Sequence, residues 1–236
     1  MVLTNPLCTR LWMFLNKFRF NHEVAQEYEL RSQRDWIERN FVSVNAHIAP
    51  RNAYQWLSEW FPDEYSFKHF QQQTGGKTCL EVGSGPSGNI IYFWWAARRI
   101  IIDPLVCHYQ QIQIKRFGKS WFKGIDLIPS NAEVLNDDLI GAVNGAIICR
   151  NTLDHCADPM KVLENITAYA RPGCYLLLWT DLHHIGGHDE GHQDITRDKA
   201  KFISQLKKMG WDIEYTTPDK PGRNTIHYGC RARRRA

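Results

Sequence analysis

The sequence lacks several patterns that mark particular classes of protein. No stretch of its 236 residues is apolar enough to span a bilayer, and residues 1–20 contain no small-residue cleavage site. We therefore predict neither a membrane span nor a signal peptide. There is also no internal repeat and no low-complexity tract. The hydrophobic fraction of 43% and the charged fraction of 23% are typical of a globular chain that forms one α/β domain plus an accessory segment.

The cysteines do not form the pattern of a disulfide framework or a zinc site. They number seven, which is odd, and no Cys-x-x-Cys pair occurs. Cys79, Cys149 and Cys174 lie within apolar, strand-like runs. We predict that they are buried free thiols of a protein in a reducing compartment, with the cytoplasm as the default.

The chain also has no strong excess of positive or negative charge, since its formal net charge is only +4. Much of it could come from a C-terminal run of arginines, namely Arg231, Arg233, Arg234 and Arg235. Such a run can contact nucleic acid or anionic lipid. The simpler interpretation, which we favour, is a solvated and frayed terminus.

From residue 77 onwards, apolar strand-like runs alternate with helical patterns. We predict strands at 78–82, 99–103, 132–135, 146–150 and 174–180, and helices at 88–97, 106–117, 160–170 and 196–209. Two further extended stretches, 212–217 and 225–231, have no helix between them and should be antiparallel. The pattern predicts a doubly wound α/β fold with a mostly parallel seven-stranded sheet and an antiparallel edge strand.

The chain divides into two regions by composition. Residues 1–72 are rich in aromatics and in helix-compatible sequence, and we predict that they form a helical cap. Residues 73–236 carry the alternating pattern and form the predicted ligand-binding domain.

A glycine-rich turn follows the first predicted strand. An apolar run ends in Glu81 and breaks at once into Val-Gly-Ser-Gly-Pro-Ser-Gly, and the next apolar run ends in Asp103. Glycines allow a backbone to approach a ligand closely, and an acid after the second strand suits the two hydroxyls of a ribose. We therefore predict a nucleoside site. The Gly-Lys-Ser/Thr ending of a phosphate loop is missing, which disfavours phosphoryl transfer, whereas nicotinamide binding stays open.

A second polar segment, Asn151-Thr-Leu-Asp-His-Cys-Ala-Asp-Pro159, leaves the fourth predicted strand at its carboxyl end, where open α/β sheets bind ligands. Its last two residues, Asp158 and Pro159, are typical of a helix start, with the aspartate as N-cap.

Taken in order, five segments resemble the successive motifs of class I S-adenosylmethionine-dependent methyltransferases, most closely the small-molecule group often called type 11. These segments are 81–88, Asp103-Pro104, 137–139, 151–159 and 171–173. The resemblance covers residues 77–179. It implies a Rossmann-like fold, S-adenosyl-L-methionine as cofactor and S-adenosyl-L-homocysteine as product.

The resemblance also implies which residues bind the cofactor. The glycine turn would line its methionine part, Asp103 would bind the ribose, Asp138 or the adjacent Asp137 would accept from the adenine amino group, and Asn151 would lie near the sulfonium. The full implied set is Glu81, Gly83, Ser84, Gly85, Asp103, Pro104, Asp137, Asp138 and Asn151.

Histidines and acids crowd the segment after the fifth predicted strand. The crowded residues are Asp181, His183, His184, His188, Asp189, Glu190, His192 and Asp194. They could form an acceptor pocket with histidine as base, a divalent metal site that orients the acceptor, or a structural set of capping groups. We favour the first interpretation, predict His155, His184 and His188 as catalytic, and predict no metal.

The predicted function is methyl transfer to a small-molecule hydroxyl or amine, such as a sugar or natural product. A sulfonium methyl is already activated, so the protein must align the reactants and accept a proton. A nucleic-acid or protein methyltransferase is an alternative, but the Asn-Pro-Pro-Tyr type of motif that serves base amines is absent at Asn151, which disfavours nucleic acid. A nicotinamide-binding oxidoreductase and a cofactor-binding protein without transfer activity also stay open.

Overall fold

The computed structural model describes residues 53–185, 192–219 and 225–236, together with 27–28, 30–32 and 35. The strands are β1 (Thr78–Val82), β2 (Arg98–Ile102), β3 (Asp126–Ile128), β4 (Ala146–Arg150), β5 (Tyr175–His184), β6 (Trp211–Thr216) and β7 (Thr225–Arg234). The α-helices with defined bounds are α1 (Ala53–Leu57), α2 (Glu64–Thr74), α3 (Val106–Phe117), α4 (Pro159–Tyr169) and α5 (Lys199–Lys208).

The seven strands form one sheet in the order β3-β2-β1-β4-β5-β7-β6. The pairs β1–β2, β1–β4, β2–β3 and β4–β5 are parallel. Strand β7 runs antiparallel to both of its neighbours, β5 and β6. The predicted mostly parallel, Rossmann-like sheet with antiparallel pairing at one edge is therefore confirmed.

Helices cover both faces of the sheet. Because successive strand residues point to opposite faces, Leu80 and Val82 of β1 join an apolar cluster that includes α4 and α5 residues. Cys79 of the same strand joins a second cluster, which contains residues from α1, α2 and α3. This layering is doubly wound, and it leaves the carboxyl ends of β1, β2, β4 and β5 along one edge of the sheet.

The described residues 53–74 pack directly on the sheet. Trp60, in a short 3-10 helix (Ser58–Trp60), is fully buried, and its indole nitrogen donates to the Leu178 carbonyl at 2.9 Å. Phe61 and Phe70 belong to the same apolar cluster as the sheet residues Ile148 and Leu177. The division of the chain into 1–72 and 73–236 stays a prediction, and most of the proposed cap lies outside the described residues.

The predicted helix 88–97 is wrong. The segment holds only a 3-10 helix (Ile90–Tyr92). Gly88 before it has a left-handed φ of 53°, and the N–H groups of Phe93 and Ala96 donate to carbonyls three residues back rather than four. Further along, residues 94–95 form a turn, and the Ala97 N–H donates to the Lys77 carbonyl just before β2 begins.

Two other predicted elements also differ from the structure. The third strand lies at Asp126–Ile128, not at 132–135, and the Ala132 carbonyl there accepts from the Asn165 side chain on α4. The last helix begins after Asp198, whose carboxylate accepts from the Lys201 N–H, so the predicted start at 196 is wrong by one turn. By contrast, Asp158 caps α4 as predicted.

The arginine run is not a frayed terminus, so that expectation is wrong. Most of the run belongs to β7, and β6 carries acids opposite it. The Glu214 carboxylate pairs with Arg231 at 3.3 Å and with Arg233 at 2.8 Å, and Asp212 pairs with Arg235 at 3.2 Å. The two acids offset half of the positive charge of the four arginines.

Cys79, Cys149 and Cys174 are buried free thiols, as predicted. Burial raises the pKa of the Cys79 thiol to about 12, so it behaves as a small apolar side chain. In the parts of the chain described above, every helix is too short or too polar to cross a membrane.

Candidate active site

The glycine turn leaves β1 at the carboxyl edge of the sheet. Gly83 and Gly85 have φ values of 70° and 55°, a region that side chains with a Cβ rarely adopt. A Cβ on Gly83 would lie 2.3 Å from two atoms of the Thr152 side chain, whereas a Cβ on Gly85 would meet nothing within 4 Å. The two glycines are therefore needed for different reasons. Gly83 allows the turn to pack against the segment after β4, and Gly85 leaves open space beside the backbone.

Glu81 hydrogen-bonds the backbone that follows this turn. Its side chain is fully buried, Oε1 accepts from the Asn89 backbone and side-chain amides at 2.8 and 2.7 Å, and Oε2 accepts from the Ile90 N–H at 3.0 Å. Burial raises the pKa of Glu81 to about 7, although these hydrogen bonds lower it in part. The carboxylate thus holds the backbone between the turn and residue 90 in place.

Asp103, directly after β2, joins the turn to the neighbouring strand. Its Oδ2 accepts from the Gly85 N–H at 3.1 Å and lies 3.5 Å from the Ser84 hydroxyl, while Oδ1 accepts from the Leu105 N–H at 2.8 Å. Pro104 stands in the chain between Asp103 and Leu105, whose N–H makes the last of these hydrogen bonds. The structure therefore brings together the turn, Ser84 and Asp103, which the sequence predicted as one site.

Gln113 also supports the turn, and sequence reasoning missed it. This buried α3 residue donates from Nε2 to the Pro86 carbonyl at 2.8 Å, and its Oε1 accepts from the Trp121 N–H at 2.9 Å. A glutamine inside an otherwise apolar helical face was the available signal, because a buried polar side chain needs partners.

Asp137 and Asp138 lie on a separate segment from Asp103, after the end of β3. They occupy an exposed 3-10 helix (Asp137–Leu139), whose N-cap Asn136 accepts from the Asp138 N–H. The end of β3 contacts Asp103 directly, because the Ile128 carbonyl accepts from the N–H groups of both Asp103 and Ser130. The role of the two acids at the adenine stays a prediction.

Asn151, at the end of β4, has an uncommon backbone conformation. Its φ of 51° makes it the one positive-φ residue other than glycine in the described parts of the chain, and its N–H donates to the Trp179 carbonyl at 2.7 Å. Such conformations cluster at ligand sites. Asn151 is exposed, and it precedes the Thr152 that packs against Gly83.

A cluster of histidines surrounds Asp154 at the adjacent strand ends. Asp154 lies in a 3-10 helix (Leu153–His155) and is fully buried. The Nε2 atoms of His155, His184 and His192 each lie 3.9 Å from its Oδ2. Burial raises the pKa of Asp154, and the nearby His155 and His192 lower it in part.

Asp194 holds the end of β5 in place. Its Oδ2 lies 2.7 Å from His183 Nδ1, and its Oδ1 accepts from the His184 N–H at 3.0 Å. Close by, the Gln193 N–H donates to the Asp154 carbonyl at 2.7 Å, which ties residues 192–194 to the turn after β4. The predicted residues His155 and His184 are therefore brought together, whereas His188 lies outside the described residues.

Comparisons by sequence found nothing: no protein-family model matches the chain, and no curated protein matches it. Solved structures do match. The [4+2]-cyclase SpnF superposes with a TM-score of 0.59 at 15% identity, covering 91% of this chain and 96% of its own. The N-methyltransferase NodS from Bradyrhizobium japonicum WM9, solved with S-adenosyl-L-homocysteine, gives 0.51 at 12% identity and covers 78% and 98%.

The CurJ carbon methyltransferase superposes with a TM-score of 0.53 at 17% identity over 69% of this chain, which spans half (50%) of that one. At these identities the shared property is the architecture. The sheet order, the turn after β1 and the acid after β2 fit that architecture, and the chain has the Rossmann-like fold of the class I S-adenosylmethionine-dependent methyltransferases.

Proposed function

We propose that the protein transfers a methyl group from S-adenosyl-L-methionine to a hydroxyl or amine of a small molecule. The observation that carries this proposal is the junction of the Gly83–Gly85 turn with Asp103 at the carboxyl ends of β1 and β2. Open α/β sheets bind nucleoside ligands at this edge, and an acid after the second strand suits a ribose. The same fold is found in NodS, which was solved with the methyl-transfer product of this cofactor.

Each site residue has a task in this proposal. The open space beside Gly85 receives the methionine part, Asp103 binds the ribose hydroxyls, and Asn151 faces the methionyl amine. Because the sulfonium methyl is already activated, alignment of the acceptor with the methyl carbon and sulfur supplies most of the catalysis. A base near the acceptor removes its proton, and His155 is well placed for this beside Asp154.

The remaining features favour a small acceptor over nucleic acid. Three of the four C-terminal arginines pair with acids of β6, and Arg234 donates to the Met209 and Gly210 carbonyls, so the run is engaged within the fold. The histidine cluster, in contrast, offers several polar groups in a half-buried setting beside the turn, which is typical of a small-molecule site.

Calorimetry with S-adenosyl-L-homocysteine and with NAD tests the cofactor. We expect the full chain to bind the former and not the latter. Asp103→Ala should weaken binding by about 1–3 kcal/mol, because the ribose hydroxyls lose their acceptor. Asp126→Ala is the matched control, since Asp126 is an exposed carboxylate at the opposite end of the neighbouring strand β3, paired with Arg98.

Equal binding of S-adenosyl-L-homocysteine by the Asp103 variant and the wild type would place the site elsewhere. Binding of NAD alone would replace the proposal with hydride transfer. Release of S-adenosyl-L-homocysteine on incubation with pooled small hydroxyl and amine compounds tests the transfer itself. The cyclase SpnF shares the fold, so binding without any transfer would point to another reaction in the same pocket.

A further inference from the structure

The Asp154 side chain is buried in a way that needs explanation. It is 0% exposed, and neither carboxylate oxygen accepts a hydrogen bond from another described side chain. A carboxylate out of water is normally hydrogen-bonded, paired at close range or bound to a metal. The three surrounding imidazole nitrogens lie 3.9 Å from Oδ2, which is too far for a hydrogen bond.

Two further carboxylates lie in the same region. Asp181, with 9% exposure, has an oxygen 4.0 Å from His184 Nε2, and Asp194 has an oxygen 3.8 Å from His184 Nδ1. Three carboxylates thus surround one imidazole. A cation bound among them would pair with these carboxylates.

We propose that Asp154, His184 and His192 bind a divalent first-row transition-metal ion. One atom from each residue can be chosen so that all three lie within 4.8 Å of one another. Ligand atoms at about 2.1 Å from a tetrahedral ion are about 3.4 Å apart. The two 3.9 Å separations from Asp154 Oδ2 therefore close with shifts of about 0.5 Å, while the two imidazoles, whose ligand atoms lie within 4.8 Å of each other, must approach by up to about 1.4 Å. Two imidazoles and one carboxylate suit Zn²⁺, Fe²⁺ or Ni²⁺, whereas Mg²⁺ and Ca²⁺ prefer oxygen ligands.

Asp194 is a positioning residue for this site. His184 directs Nε2 to Asp154 while its Nδ1 faces Asp194, and the backbone N–H of His184 donates to the same carboxylate. At 3.8 Å the ring nitrogen is beyond hydrogen-bond distance of Asp194, which therefore holds His184 through its backbone N–H. The arrangement therefore has an inner set of ligands and an outer support, both from described residues.

Three protein ligands leave at least one position of the ion open for an acceptor oxygen. Thr152, two residues from Asp154, packs against Gly83, so the segment that carries Asp154 adjoins the glycine turn. The assignment of the open position to an acceptor oxygen rests on the proposed function. It makes His184 a ligand and leaves His155 to accept the proton. It also replaces the sequence-based expectation that no metal is bound.

The test uses the untagged full chain after treatment with a chelator. Titration with Co²⁺ should give visible d–d absorption, and calorimetry with Zn²⁺ should give one ion per chain, with Mg²⁺ much weaker. Asp154→Asn and His192→Ala should each weaken Zn²⁺ binding about tenfold or more. His108→Ala is the control, because that imidazole is exposed on α3 and should leave Zn²⁺ affinity unchanged.

Failure of the metal proposal and failure of the proposed function can be told apart. Far-UV circular dichroism and S-adenosyl-L-homocysteine calorimetry on each variant report the fold and the cofactor site independently of the ion. A folded wild type that binds neither Co²⁺ nor Zn²⁺ overturns the metal site and leaves methyl transfer standing. If the Asp154→Asn and His192→Ala variants fold and bind Zn²⁺ as tightly as the wild type, the metal site is overturned as well.

Discussion

Gly83 and Gly85 occupy neighbouring positions with similar positive φ values, yet their surroundings differ. Any L-residue in this conformation costs about 1–2 kcal/mol. At Gly83 a Cβ also overlaps the Thr152 side chain, and overpacking adds about 1–3 kcal/mol. We therefore expect Gly83→Ala to lower the free energy of unfolding by about 2–5 kcal/mol, and Gly85→Ala by about 1–2 kcal/mol.

Urea unfolding of the two variants beside the wild type checks this difference. The pair is matched in residue type, φ and position in the turn, so backbone strain alone predicts equal losses. Equal losses would show that Thr152 moves aside easily and that the close packing of the turn on the segment after β4 is not needed for stability.

The buried Glu81 carboxyl makes stability depend on pH. Its pKa is raised by burial from 4.5 to about 7, so between these values the folded protein holds a proton that the unfolded chain has lost. Folding is therefore favoured most below pH 4.5, and this contribution is lost as pH rises through 7. The full difference corresponds to roughly 3 kcal/mol.

Glu81→Gln isolates this effect because glutamine does not titrate. We expect the free energy of unfolding of the wild type, minus that of the variant, to fall as pH rises from 5 to 8. Urea unfolding at several pH values measures it. Because the amide cannot accept all three hydrogen bonds made by Glu81, the variant should also show a constant loss of stability. A difference that does not change with pH would mean that Glu81 stays ionised in the fold.

At the scale of elements, the sequence predicts strands better than the segments between them. The strands β1, β4 and β5 are buried on both faces, so their apolar runs were visible in the sequence. Residues 88–97 looked helical because they are apolar and contain no proline. In the fold their start is bonded to the Glu81 carboxylate, a side chain from another element, and their N–H groups bond three residues back, which no local pattern reports.

The candidate site likewise has a part that could be predicted from the sequence and a part that could not. The glycine turn and Asp103 could be predicted because each directly follows a strand, and parallel strand ends meet at one edge. The histidine loop was visible as a composition, but Asp154 was not singled out as its centre. Its importance comes from burial and from imidazoles that reach it from β5 and from residue 192, which only the folded chain brings together.

At the scale of the whole molecule, the described residues 53–74 and the sheet share one apolar cluster. Trp60 and Phe70 pack with Tyr175 and Trp179, and the Trp60 indole bonds to β5. A cap with an independent core would not have this continuity. Segments that share a core unfold together, because exposing one removes the packing of the other.

We therefore expect urea unfolding of the full chain, followed by far-UV circular dichroism and by tryptophan fluorescence, to show a single transition with one midpoint. Trp60→Phe should lower both midpoints together and cost about 1–3 kcal/mol, because phenylalanine is smaller and leaves the indole hydrogen bond unmade. Two separate transitions, or a loss confined to one signal, would instead support an independent helical cap at residues 1–72. In that case the contact between Trp60 and Leu178 would be an interface between domains, since the two units would then fold on their own.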